Sequence, residues 1–249
     1  MPASVKVAGV WRTFSPRMKI GGVWKNATGG WVRVAGTWRK FFSAQASSIT
    51  ELNNAFDTNT GNKQYNVTAG QAAAGNRLIA LVQSSGVDVD LTAMSDTLGG
   101  TWVKCVSAKI STTRGCAIWL RTEPLTGVAL TVQYASGAST GCGMSVRTVQ
   151  GAPGLTLRQV GFTNDSGSAA PAATFPAPPS SDSVMMSIAV MPAGTPTIPA
   201  GWGYGFGITY TIPSTTIRVA SRLSGETSQT ISYVGAVVNA STCIAEFSP

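Results

Sequence analysis

Asp88 and Asp90 are the nearest this chain comes to a paired-carboxylate site, in the stretch Gly86-Val87-Asp88-Val89-Asp90-Leu91-Thr92-Ala93-Met94-Ser95-Asp96. In an extended strand, residues two apart share a face. The pair would therefore act either as an acid-base couple or, with loop oxygens, as ligands of Ca²⁺. The EF-hand spacing is missing, so a solvated strand face is the preferred reading. The chain contains no histidine, which removes the Ser-His-Asp, Cys-His and histidine-metal arrangements together, because no imidazole is present to take a proton or bind an ion. Glu123, Asp165, Asp182, Glu226 and Glu246 are scattered singly. The expectation is a protein that is not an enzyme, with no catalytic residue, no cofactor and no resident metal.

Two further groups have the composition of binding sites. In Gly201-Trp202-Gly203-Tyr204-Gly205-Phe206-Gly207, the glycines superficially suggest a phosphate loop, but the Lys-Ser/Thr ending is missing and no helix follows. Read as a strand, the run puts Trp202, Tyr204 and Phe206 on one face, where they would either stack on a glycan ring or pack into the core. Core packing is the preferred reading. The four cysteines, Cys105, Cys116, Cys142 and Cys243, contain no CxxC pair and lie in apolar strand-like settings. They read as buried free thiols rather than a zinc site or a disulfide framework.

The second group is a three-fold repeat at the N-terminus. Val5-Lys6-Val7-Ala8-Gly9-Val10-Trp11-Arg12 is followed by Met18-Lys19-Ile20-Gly21-Gly22-Val23-Trp24-Lys25 and by Val32-Arg33-Val34-Ala35-Gly36-Thr37-Trp38-Arg39. Each unit is long enough for one hairpin around a small-Gly turn. A two-residue turn sets Lys6 opposite Trp11, where an ammonium over an indole is worth roughly 0.5–1 kcal/mol at an exposed site; a three-residue turn sets Val7 there instead. Residues 1–43 contain Lys6, Arg12, Arg17, Lys19, Lys25, Arg33, Arg39 and Lys40 and no acid, so they carry the whole formal charge of +8. A partner attracted by charge meets this segment. Basic residues among stacking rings also fit a single-stranded nucleic acid groove, but the regular hairpin spacing favours docking on a protein, with Trp11, Trp24, Trp31 and Trp38 as anchors.

The rest of the chain must position whatever these groups do. Only 11% of residues are charged, well below the usual quarter. No apolar run is long enough to span a membrane as a helix, and the start lacks the continuous apolar stretch of a signal peptide. After a polar passage over 44–76, read as a linker and first edge strand with a possible helical turn from Thr50 to Phe56, strand signals alternate with turns to the end. They cover Leu78–Gln83, then 101–108, 116–121, 128–134, 142–149, 155–162, 184–191, 206–212, 216–222, 228–233 and 242–247. The pattern looks duplicated. Trp102, Trp119, Val132 and Cys142 recur at nearly equal intervals as Trp202, Val219, Ile231 and Cys243. The fold class is therefore all-β. A hairpin module over 1–43 precedes one antiparallel β-sandwich over 77–249, built of similar halves at about 77–163 and 184–249 and joined through 164–183.

The repeats resemble the V-K-V-G-G-x-W-K repeats near the N-termini of tailed-phage tail and virion proteins, and the remainder resembles the jelly-roll-like sandwiches of phage fibres and decoration proteins. This resemblance implies a structural protein on the virion exterior, assembled in the host cytoplasm. Other virion proteins would be its partners through residues 1–43, as a homo-oligomer with a trimer as the guess. It implies a tail fibre or tail tip acting in host adsorption, with a capsid decoration or head-fibre protein as the alternative and a carbohydrate-binding module, meeting a host-surface glycan, as the second. No active-site residue carries over.

Overall fold

The computed structural model describes residues 4–7, 10–13, 17–20, 23–26, 29–34, 36–43, 46, 48–57, 62–85, 93–111, 114–135, 141–192, 194–211 and 214–249, and the account below concerns these. Every regular element among them is a β-strand, and all pairings are antiparallel.

The N-terminal segment forms three two-stranded sheets: β1 (Ser4–Val7) with β2 (Val10–Thr13), β3 (Arg17–Ile20) with β4 (Val23–Asn26), and β5 (Gly29–Val34) with β6 (Thr37–Ser43). The pairing takes the two-residue-turn register in each. Val7 faces Val10, Ile20 faces Val23 and Val34 faces Thr37 in the ladders, so Lys6 lies opposite Trp11, Lys19 opposite Trp24 and Arg33 opposite Trp38. In the third hairpin Gly36 closes the turn at φ +83°, and Arg33 Nε donates to its carbonyl at 3.3 Å.

The first half of the remaining chain contributes β7 (Ser48–Asp57), β8 (Asn62–Val67), β9 (Arg77–Ser85), β10 (Ala93–Asp96), β11 (Trp102–Ser111), β12 (Arg114–Arg121), β13 (Leu130–Ala135) and β14 (Gly141–Gln150). They form a large sheet in the order β11-β12-β9-β14-β7 and a small one in the order β10-β13-β8. The second half contributes β15 (Thr156–Ala169), β16 (Ala172–Thr174), β17 (Val184–Met191), β18 (Gly203–Thr211), β19 (Ser214–Arg222), β20 (Thr230–Ser232) and β21 (Val237–Ser248). Its large sheet runs β18-β19-β17-β21-β15 beside the pair β16-β20, and a bridge from Thr197 to Val234 stands where the first half has β10. The two orders correspond strand for strand. In each half the pairing is also nested: first strand with last, second with second-last, third with third-last.

The strands stack in four layers. The two five-stranded sheets pack face to face around Ile79, Leu81, Ile118 and Leu120 from one half and Met186, Ile188, Val219 and Phe247 from the other. On its far side each large sheet is covered by its small one. Leu78, Val82, Trp119 and Met144 meet Val67, Val132 and Tyr134 in the first half; Met185, Ala220 and Ile244 meet Ala173 and Ile231 in the second. The inner strands of the large sheets are thus buried on both faces, while the edge strand β15 exposes Leu157 and Phe162; β9 and β17 are buried at every residue. Such strands read as continuous apolar runs rather than alternations, which is the form of Leu78–Gln83 and Val184–Met191.

Several expectations change here. Each half contributes its own large and small sheet, and the two large sheets share one core. Some of these strands come from segments read only in part as strand: β7 and β8 both lie in the polar passage read as a linker and one edge strand, β15 extends the expected strand 155–162 to Ala169, and β16 lies in the stretch 164–183 read as the connection. The possible helical turn from Thr50 to Phe56 is part of strand β7, the edge partner of β14. The sequence correspondence between halves also slips by face. Trp119 and Cys142 lie in the outer core of the first half, while Val219 and Cys243 lie in the central layer. One residue of slip exchanges the two faces of a strand; Ala220, in an outer core, is the residue that shares the orientation of Trp119.

The four cysteines are free thiols. Cys116 and Cys243 come from opposite large sheets and meet at the centre, sulfur to sulfur at 3.6 Å. Cys105 is half-buried, and burial pushes its thiol up to about 12. Alkylation of the native chain at mildly alkaline pH, read by mass spectrometry, is expected to leave Cys116, Cys142 and Cys243 unmodified and to label Cys105 slowly. Denaturant exposes all four; rapid native labelling of Cys116 or Cys243 would contradict the central packing. Ile118→Ala is expected to lose about 2–5 kcal/mol in a denaturant melt, because it opens a cavity between two sheets with no solvent-facing side on which to relax.

Candidate functional site

Each half contains a tryptophan, a buried carboxylate and an arginine in contact; Trp202 and Arg121 are buried, while Trp102 and Arg222 are half-buried. In the first half, Trp102 begins β11 and stands opposite Arg121 at the end of β12. Asp96, at the end of β10, sits between them. Its Oδ2 accepts from Trp102 Nε1 at 2.9 Å and from Arg121 Nε at 2.9 Å, while Oδ1 accepts from the backbone N–H groups of Leu98 at 2.9 Å and Gly100 at 3.2 Å. The loop Leu98-Gly99-Gly100-Thr101 therefore wraps the carboxylate. A side chain at position 100 would collide with the Arg121 guanidinium, so glycine suits this approach.

In the second half, Trp202 Nε1 donates to Glu226 Oε2 at 2.7 Å, and Arg222 Nη1 donates to the same oxygen at 3.1 Å. The other oxygen accepts from the N–H groups of Thr227 at 3.0 Å and Ser228 at 2.8 Å. The tryptophan and arginine occupy matching places in both halves, but the acid comes from the element before the tryptophan in one and from the loop after the arginine in the other. A third buried acid, Glu246, accepts from Arg158 Nη1 at 2.6 Å, Ser183 Oγ at 2.6 Å and Ser180 N at 2.8 Å. Asp96, Glu226 and Glu246 are the buried acids among the described residues. Each holds an arginine and is already surrounded by donors, so none is poised as a general base.

Trp202 belongs to the core. It is 6% exposed and packs among Phe175, Met185 and Ile231, so it offers no open ring for a sugar. The alternation expected for Trp202, Tyr204 and Phe206 also fails in the backbone: β18 starts only at Gly203, and its register shifts between Gly203 and Phe206. The side chains of Tyr204 and Phe206 lie outside the described residues. Among the glycines of this run, Gly207 stands opposite Arg218, whose guanidinium occupies the space a side chain would take and whose Nε reaches Pro196 O at 3.0 Å.

Asp88 and Asp90 lie outside the described residues, as do the side chains of Trp11, Trp24, Trp31, Trp38, Lys6, Arg12, Lys19, Lys25 and Arg39. Their backbone register is the one given above, and Arg33 is exposed. No group of three or more Cys, Asp or Glu side chains suited to a metal ion occurs among the described residues.

A further feature escaped the sequence reading. On the outer face of β10-β13-β8 lies a groove of about 310 Å³ lined by Gln64, Ser95, Asp96, Thr97, Thr131 and Gln133. The residues are separated by tens of positions in the chain and carry no motif; the only signal was the polar alternation of Asn62-Lys63-Gln64-Tyr65-Asn66. Comparison with protein-family models, curated proteins and solved structures finds no match to this chain.

Asp96 also sets an acid response. Burial by itself would raise its carboxyl, but hydrogen bonds from Arg121, Trp102 and Gly100 outweigh it and hold the group below its ordinary value. The clamp therefore stabilises the fold fully above the ordinary carboxylate range of about 4, and that contribution is lost as pH falls through the depressed value. Asp96→Asn is expected to cost about 3 kcal/mol at neutral pH, because it leaves the buried Arg121 guanidinium with only the half-exposed Glu123 carboxylate, 3.8 Å from Nη1, as counter-charge. It should also flatten the acid limb of the stability-pH curve; an unchanged limb would show that Asp96 does not drive it.

Proposed function

We propose that this chain is a non-enzymatic structural component of a tailed-phage virion, a tail fibre or tail-tip protein that attaches by its N-terminal repeats and displays the layered β-domain outward for host adsorption. The observation that carries this reading is the repeat itself. Three hairpins share one register, each sets a basic residue opposite a tryptophan, and together residues 1–43 hold all of the net charge. A two-stranded hairpin is marginal alone in water. Three of them, rich in cations and indole rings, have the composition of a docking surface, since tryptophan and arginine most often dominate interface energetics.

The architecture beyond residue 43 is in keeping with this role. The nested pairing β7 with β14, β8 with β13 and β9 with β12 supports reading this half as jelly-roll-like, a long antiparallel ribbon rolled on itself. Here β11 leaves the small sheet to pair with β12. The second half repeats the plan with β15, β16 and β17 pairing β21, β20 and β19. Each half is thus read as a jelly-roll-like sandwich and the pair as a tandem duplication. The buried acids support a structural role, because each is committed to an arginine. The phage resemblance also carries the proposal that the chain assembles as a trimer.

Deleting residues 1–43 is expected to leave a folded domain, near neutral in net charge and with the thermal transition of the parent, that no longer enters particles. Circular dichroism and particle composition after purification measure the two halves of that outcome. Normal incorporation of the truncated chain would remove docking by the repeats.

A further inference from the structure

The small sheet of the first half turns a polar face outward. Strand β8 alternates exposed Asn62, Gln64 and Asn66 with inward Lys63, Tyr65 and Val67, and β13 alternates Thr131, Gln133 and Ala135 with buried Leu130, Val132 and Tyr134. Register joins these residues into rows. Ser95, Gln133 and Gln64 are successive partners across β10, β13 and β8. Two residues along the same face, Thr131 pairs with Asn66, and Thr97 Oγ1 accepts from Thr131 N at 3.0 Å. With strands about 4.8 Å apart and about 3.4 Å of rise per residue, the two rows frame a patch of about 10 by 7 Å. This is the size of one or two pyranose rings.

The chemistry of the patch is uniform. Its lining is amide and hydroxyl, and its one acid, Asp96, has a side chain with no exposed surface and is already held by four donors. Gln64, Gln133 and Ser95 form no side-chain hydrogen bond with another described residue. Asn66 is fixed, because Thr131 Oγ1 donates to its Oδ1 at 2.7 Å, and this leaves Nδ2 as a donor of set direction. An amide presents a donor and an acceptor side by side, the complement of neighbouring hydroxyls on a sugar ring. The sheet's cation, Lys63, is buried on the inner side, so the groove offers nothing to a phosphate backbone. It offers no large apolar side chain to a hydrophobic peptide either.

The second half sharpens the point. At the matching place Thr174 and Thr230 hydroxyls bond each other at 3.0 Å, and Ala172 stands opposite Ser232. The frame is shared, but the free amide row belongs to the first half alone.

The geometry points to this groove as a binding site for a neutral saccharide, held by Gln64, Gln133, Asn66 and Ser95. The site deepens the adsorption role proposed above by naming the kind of surface met, though it is tested on the isolated chain. Without an open aromatic ring for stacking, binding to one copy is weak, in the millimolar range, and display of several copies raises it through avidity.

The test is a titration of the full-length, isotopically labelled chain with methyl glycosides of glucose, galactose, N-acetylglucosamine and rhamnose, followed by NMR of the side-chain amides. Saturable shifts of Gln64, Asn66 and Gln133 with at least one of these sugars are expected. Gln64→Ala and Gln133→Ala each weaken that binding about tenfold, the loss of about 1.4 kcal/mol, while Thr230→Ala in the second half leaves it unchanged. All three positions are on exposed or half-exposed sheet faces, and an unchanged backbone spectrum shows that the variants fold. Absence of saturable shifts with all four glycosides overturns the proposal, as does binding that survives the Gln64→Ala/Gln133→Ala double variant. Binding confined to an anionic oligosaccharide, and indifferent to both glutamines, also overturns it and assigns the contact to the basic repeats. A negative titration leaves particle incorporation through residues 1–43 unaffected, so the two readings fail separately.

Discussion

Burial of the inner strands of the two large sheets on both faces is the constraint on which the rest of the structure depends. Each sheet presses one face on its counterpart and the other on a small sheet, so inner strands such as β9, β14 and β17 have no wet side on which to place polar groups. Polar atoms caught there are costly unless they are bonded. Cys116 and Cys243 lie sulfur to sulfur at the centre, and Arg147, wholly buried on β14, donates from Nη1 to Ser221 Oγ of the other half at 3.3 Å, while Ser84 Oγ, Ser145 Oγ and Thr148 Oγ1 of the same sheet are buried without a hydrogen bond to a described residue. Ser187 Oγ and Tyr233 Oη bond each other at 3.0 Å beneath the second small sheet. Burial pushes that tyrosine hydroxyl well above its usual range, partly offset by the bond from Ser187.

The small sheets follow from the same constraint. They are the layers with a solvent-facing side, so they alternate cleanly, apolar inward and polar outward. This is why a binding surface is found on β8 and β13 and none on the faces of β9 or β17. The clamps built on Asp96 and Glu226 stand where a tryptophan at a strand start and an arginine at the neighbouring strand end are wholly or partly withdrawn from water and both need an acceptor. The two halves meet that need with acids from different loops. The physical demand is therefore for a carboxylate at that point in space rather than for a residue at that point in the chain.

Much of the fold was legible in the residues. Runs such as Val184–Met191 coincide with strands because a doubly buried strand must be continuously apolar, and the turns between them carry glycine where φ is positive, as at Gly127, Gly151 and Gly225. Strands β10 and β16 were not legible, and β7 was legible only as an edge strand of unplaced bounds within 44–76. They are short or polar, lie at or near sheet edges, and owe their extension to the partner strand rather than to their own pattern. The candidate groove was hidden for the same reason: Gln64, Ser95 and Gln133 are ordinary surface residues until β8, β10 and β13 align them. Trp202 shows the limit in the other direction. Its neighbours Gly203, Tyr204 and Gly205 suggested an alternating aromatic face, but a register shift inside β18 and the acceptor on Glu226 commit it to the interior.

By itself, the sequence determined the all-β class, the three basic hairpin repeats, the confinement of net charge to residues 1–43 and the likeness of the two halves. Those properties are local or compositional, set by turn residues, strand periodicity and counts of charge. Only the tertiary structure decided that each half contributes its own large and small sheet, that the large sheets stand back to back, and which residue of a repeated pair faces which core. The face of a strand changes with a single residue of register. Register is set by partners far along the chain, so a repeat read in one dimension carries the spacing of its residues but not the side on which they lie.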